Sequence, residues 1–90
     1  MDIMERITAA TDLSDEPIPG VPLVEIAGEK RVLIEHHCGV TEYGRCQICV
    51  KVKFGFVMVM GQRLELARMT KEQLIITGKI ECVKLERRGR

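Results

Sequence analysis

Residues 74–86 read LIITGKIECVKLE: an apolar run, a glycine, then a second run in which apolar and polar residues alternate. The same grammar occurs twice upstream, as VEIAGEKRVLIE at 24–35 and VMVMGQRLELAR at 57–68. Successive side chains of a strand point to opposite faces, so such alternation marks a half-buried strand. A glycine between two runs marks a tight turn, because strand-to-strand turns often need φ > 0, which a Cβ makes costly. Glycines 28, 44, 61 and 78 stand 16, 17 and 17 residues apart. The pattern predicts a small all-β domain of repeated strand–Gly turn–strand units. Units of this length suit a meander or sandwich, or a short solenoid with two strands per coil.

Outward from this stretch the strands follow one another. Leu23–Ile26, Val32–Glu35 and Val40–Tyr43 are short. Arg45–Lys53 is expected to be the longest, with Cys46, Ile48, Val50 and Val52 on one face and Gln47, Cys49, Lys51 and Lys53 on the other. Phe56–Met60 is apolar on both faces, and Gly61-Gln62 is expected to turn the chain. Ile80 is out of phase with Val83 and Leu85, which predicts a β-bulge near Glu81-Cys82. The expected inward set is Val32, Ile34, Ile48, Val50, Phe56, Met58, Leu64, Leu66, Leu74, Ile76, Val83 and Leu85. Met58, Met60 and Met69 are read as gap-filling core residues. Upstream, Ile3, Met4, Ile7 and Ala10 lie near one face at helical spacing, so a short N-terminal helix is expected over Asp2–Thr11. Pro17, Pro19 and Pro22 then bar both helix and central strand. The division is therefore a helix and linker at 1–22, a β domain at 23–86 and a basic tail at 87–90.

Ninety residues make one small domain. Trp is absent, with one Tyr and two Phe, so the core must be built from Val, Ile, Leu and Met. Such a core favours oligomerisation as a supplement. The net charge of +1 and the scarcity of aromatic stacking residues argue against a nucleic-acid binder. The charge is unevenly spread. Residues 1–16 hold five acids (Asp2, Glu5, Asp12, Asp15, Glu16) against Arg6, a net of −4, while the remainder carries +5. No apolar run approaches the ~18 residues of a membrane span, and the acidic start is unlike a secretory signal. The chain reads as cytoplasmic, with four free thiols.

In order, PLVEIAG, VLIEHHCGV, GFVMVMGQRLEL and LIITGKIECVKLE resemble the YabP/YqfC family of sporulation proteins, and most closely its YqfC branch. The motifs carrying the resemblance are Ile34, Glu35, His37 and Gly39; Gly55 to Gly61; and Ile76, Gly78 and Ile80. Residues 17–86 are covered. Where YqfC-type relatives have Asn, His and a basic residue after the "IE", this chain has His36, His37 and Cys38. The resemblance implies a non-enzymatic role in endospore formation. It implies assembly or adaptor work in the mother cell, at or near the forespore membrane, with protein partners of the sporulation machinery and a membrane protein among the candidates. It gives Glu35, His37, Gly39, Gly55, Gly61 and Gly78 structural roles and implies no cofactor.

The residues themselves offer one chemical alternative. His36, His37, Cys38, Cys46, Cys49 and Cys82 include a C-x-x-C and would suit a metal- or thiol-based redox module. Zinc needs its thiolates to converge from a turn. Cys46 and Cys49, three apart on a strand, point to opposite faces, and no second Cys/His pair follows. Cys38 beside two histidines in sequence is not how a nucleophile and its base usually meet. A turn-capping backbone hydrogen bond is the expected task of His37. Lys51 and Lys53 read as a solvated face or guarded edge, or as a contact for an acidic partner or anionic surface. Exposed sheet edges suggest β-augmentation and self-association, as a dimer or larger array.

Overall fold

The computed structural model describes residues 21–87. The expected N-terminal helix, Pro17, Pro19 and the last three residues of the basic tail lie outside them. Six strands form: β1 (Leu23–Ala27), β2 (Arg31–Glu35), β3 (Val40–Tyr43), β4 (Gln47–Val52), β5 (Gly55–Met69) and β6 (Gln73–Arg87). They make one antiparallel sheet in the order β1-β2-β6-β5-β4-β3. The all-β expectation holds. The sheet holds β3 to β6 as a sequential four-stranded meander and leaves sequence order where β2 joins β6. Its spine is the long β5–β6 hairpin, with the β1–β2 hairpin against β6 and the β3–β4 hairpin against β5.

Of the three similar stretches, only the first is a hairpin with its glycine in the turn. Gly28, at φ 60, lies between β1 and β2. Gly61 and Gly78 do not turn the chain, because β5 and β6 run straight through them for 15 residues each. These strands, not Arg45–Lys53, are the longest. The turn between them falls at the polar Thr70–Glu72, as its TKE sequence leads one to expect, where Thr70 N–H donates to the Gln73 carbonyl at 2.7 Å and the Thr70 hydroxyl accepts from the N–H groups of Glu72 and Gln73.

Three register shifts bend the spine. Met60 faces Cys82 while Gly61 faces Ile80, which leaves Glu81 as the extra residue, at the bulge the sequence phase predicts. On β5, Arg63-Leu64 and then Ala67 supply the other irregularities, between Gln62 and Glu65 and between Leu66 and Arg68. Bulges bend the bulged strand and raise its twist. At this bend the strands approach too closely for side chains. A Cβ on Gly61 would overlap the Lys79 carbonyl oxygen, and one on Gly78 would lie 2.6 Å from that of Arg63. The glycine that reads as a turn signal is here a close-approach signal.

The bend assembles the core. β2 and β4 are separated in the sheet by β6 and β5. Even so, Val32 and Ile34 of β2 share one buried cluster with Ile48, Val50 and Val52 of β4. Val57, Val59, Leu64, Leu74, Ile76 and Ile80 complete it. The sheet must therefore curl on itself. The connection at 36–39 links the two layers: His36 N–H donates to Glu72 by the spine's tip, and Cys38 N–H donates to Lys51 on β4.

The inward set is right on β2 and β4 and at Leu64, Leu74 and Ile76, while Leu66 and Val83 pack on the core margin. Phe56 and Met58 are corrected to the outer face, since Val57 and Val59 are the buried residues. Ile80 is buried because the Glu81 bulge resets the phase. Leu85 is 60% exposed, Met69 is exposed and Met60 half-buried, so the methionines do not build the core. Cys46 precedes β4 and is exposed rather than inward.

Gly61→Ala and Gly78→Ala should each cost on the order of 2–3 kcal/mol, from overpacking against backbone that cannot step aside and, at Gly78 (φ 133), strain as well. Gly44→Ala should cost much less, because its added Cβ would sit 3.4 Å from the nearest atom, an ordinary contact. Urea denaturation of the three variants checks the order; equal costs would refute the close-approach assignment.

Candidate interaction surfaces

His37 is held from both sides. Its Nδ1 accepts from the Gly39 N–H at 3.0 Å, and its Nε2 donates to the Thr70 carbonyl at 2.8 Å. The network thus assigns the Nε2–H tautomer. The expected turn-capping bond is there, joined by one that reaches 33 residues ahead and ties the interlayer connection to the tip of the spine. Glu35, at the end of β2, accepts from the Gln73 side chain at 3.2 Å at the same junction. His36 is exposed at φ 63 and Gly39 has φ 116, so the chain makes two left-handed steps around His37. The stretch Glu35–Gly39 is a structural junction.

The thiols do not gather into a centre. Cys38, Cys46 and Cys82 are exposed, Cys49 is half-buried, and all four are free. Among the described residues, no three His, Cys, Asp or Glu side chains come close enough to hold a metal ion. Cys46 lies outside the strand, where its carbonyl accepts from the Gly61 N–H, whereas Cys49 lies within β4. Burial pushes the Cys49 thiol above its ordinary value; the negative charge of Glu42 adds to this and a hydrogen bond with Thr41 opposes it.

The sheet has two outer strands, and they differ. β3 has an irregularity between Val40 and Glu42, which blunts an edge against strand addition. β1 pairs with β2 in unbroken register from Leu23 to Ala27. Among the described residues nothing pairs with its other side. Leu23 and Ile26 are each 51% exposed and, being three apart on a strand, lie on opposite faces. A strand added at β1 would cover an apolar side chain on each face. Alternation alone does not reveal this edge, because Leu23 and Ile26 have the apolar character of core residues. Lys51 is half-buried beside Phe56 on the outer face, and Lys53 is exposed between β4 and β5.

Residues 21–90 match the YabP family. The chain belongs to the YabP family. The match covers every described strand; it does not single out the YqfC branch. No curated protein and no solved structure matches significantly. No helix of the described residues is long and apolar enough to cross a membrane.

Two outcomes are expected. His37→Ala removes both bonds and should cost about 1–3 kcal/mol at ~0.5–1.5 each, with faster amide exchange at Gly39. Unchanged stability and exchange would show the junction to be idle. Cys49 should alkylate more slowly than Cys38, Cys46 and Cys82 near neutral pH, since a raised pKa leaves less thiolate. Glu42→Gln should speed it. Mass-spectrometric labelling rates decide, and a fast Cys49 refutes the reading.

Proposed function

We propose that the protein is a non-enzymatic assembly or adaptor module in endospore formation. It works through the β1 edge, on protein partners that include a second copy of itself. Membership of the YabP family, a family associated with sporulation, supports the biological setting. A single observation carries the mode of action: β1 is a regular outer strand with Leu23 and Ile26 exposed on opposite faces. Unpaired N–H and C=O groups along such an edge are a template for another strand, and flanking apolar side chains add burial. The setting in the mother cell, at the forespore surface, and an origin in the YqfC branch belong to the same proposal.

An aliphatic core in a small domain gains from such a contact. Glu25, exposed in the middle of β1, keeps the edge from pairing indiscriminately. Sedimentation at micromolar concentration should find a dimer or larger species in wild type. Leu23→Lys/Ile26→Lys should be monomeric and still fold cooperatively, because both side chains are already half-exposed in the monomer, with a melting temperature that no longer rises with protein concentration. A wild-type chain that stays at the 10.2 kDa monomer mass on concentration would overturn self-assembly through β1.

A further inference from the structure

Lys30, Arg31, Arg63 and Lys79 line an open recess of about 760 Å³, where Glu29 is the one carboxylate among the described lining residues. This gives a local charge of +3 in a chain whose total is +1. Backbone geometry imposes the gathering. The β1–β2 turn is tied to β6 by the Gly78 N–H donating to the Lys30 carbonyl at 3.2 Å and the Ile80 N–H donating to that of Glu29 at 2.6 Å. Arg31 stands opposite Thr77 in the β2–β6 register. Arg63 occupies the β5 bulge at φ 55, a left-handed conformation uncommon for a residue with a side chain. Bulges re-aim side chains, and Arg63 lines the same recess as the other three cations. Like charges brought together in this way favour an anionic occupant.

The form of the recess narrows the kind of anion. A tightly gripped phosphate is usually cradled by free backbone N–H groups, but those of Gly78 and Ile80 are already engaged. Recognition therefore falls to four long side chains around a broad opening, which suits an extended acidic peptide. A segment of the required charge stands in this chain: Asp12, Asp15 and Glu16 close a stretch of net −4. Glu16 precedes Leu23 by seven residues, a reach of up to roughly 23–25 Å at ~3.3–3.6 Å each. β1 covers only ~13 Å from Leu23 to Ala27 at ~3.3 Å per residue, and the recess opens just beyond Ala27. We propose that the recess formed by Lys30, Arg31, Arg63 and Lys79 docks the acidic stretch Asp12–Glu16 of the same chain.

The test is zero-length carbodiimide coupling of carboxylates to lysines in the full chain, on an equal mixture of ¹⁴N- and ¹⁵N-labelled protein, with the links mapped by mass spectrometry. Links from Asp12, Asp15 or Glu16 should concentrate on Lys30 and Lys79, lie within one chain so that none carries both labels, and vanish at about 1 M salt, where the Debye length falls to ~3 Å. In a parallel measurement, Asp12→Asn/Asp15→Asn/Glu16→Gln should shift the backbone amide resonances of Lys30, Arg31, Arg63 and Lys79. Links spread evenly over Lys51, Lys53, Lys71 and Lys84, or amides that stay in place, would overturn the proposal. Mixed-label links amounting to about half of the total, the statistical share for coupling between chains, would also overturn it, in favour of docking on a second copy. The β1-edge variant tests assembly separately, so failure of one reading is distinguishable from failure of the other.

Discussion

The close backbone approach at the waist of the β5–β6 hairpin is the constraint on which the rest depends. Gly61 sits against the Lys79 carbonyl, and Gly78 against that of Arg63. With no Cβ at either position, the bulges at Glu81 and at Arg63-Leu64 can bend the spine sharply. A straight hairpin would leave β2 and β4 on a flat sheet with their apolar faces in water. The bend turns them toward one another and makes one core of Val, Ile and Leu. With no Trp and neither Phe in the fully buried set, this core has no large ring to anchor it. Its packing relies on the curl being right.

A curled sheet must also be held at its corners. Arg45 and Cys46 do this on one side, their carbonyls accepting from Leu64 and Gly61; Glu29 and Lys30 do it on the other, their carbonyls accepting from Ile80 and Gly78. Both clamps grip the spine at its bulges, where the ladder is interrupted and N–H groups would otherwise lack partners. His37 adds a third tie at the tip. Among the described strands, these ties leave over two outer sides, of which that of β1 is the regular one. The same hydrogen-bonding economy that closes the core thus defines the surface on which assembly is proposed.

Strand content was legible because alternation is local. Val32, Ile34, Ile48 and Val50 declare their face within a few residues, and even the Glu81 bulge showed as a phase slip. The arrangement of the strands was not legible, because a glycine in a turn and a glycine at a close approach leave the same mark. Gly28 and Gly61 sit in similar text, yet only Gly28 turns the chain. Phe56–Met60 fails for a related reason: with both faces apolar, alternation carries no phase, and only pairing with β4 and β6 shows that Val57 and Val59 point inward. His37 was recognisable as a turn-capping residue, whereas its contact with Thr70 spans too much sequence to be read. The β1 edge and the basic recess were out of reach, since each is a product of the strand order.

Position 63 brings the shape and charge arguments together. The bulge there needs a left-handed backbone, for which glycine is the least strained residue, and glycines stand at two other key points of the same spine. Arginine instead carries a strain of about 1–3 kcal/mol and adds a positive charge to three already gathered. The bend alone does not require this side chain, because Gly78 across the sheet provides the space for close approach. Neither does core packing, since Arg63 is exposed. An acidic segment held by all four cations would turn both costs to use, with the bulge serving at once to close the core and to aim the charge.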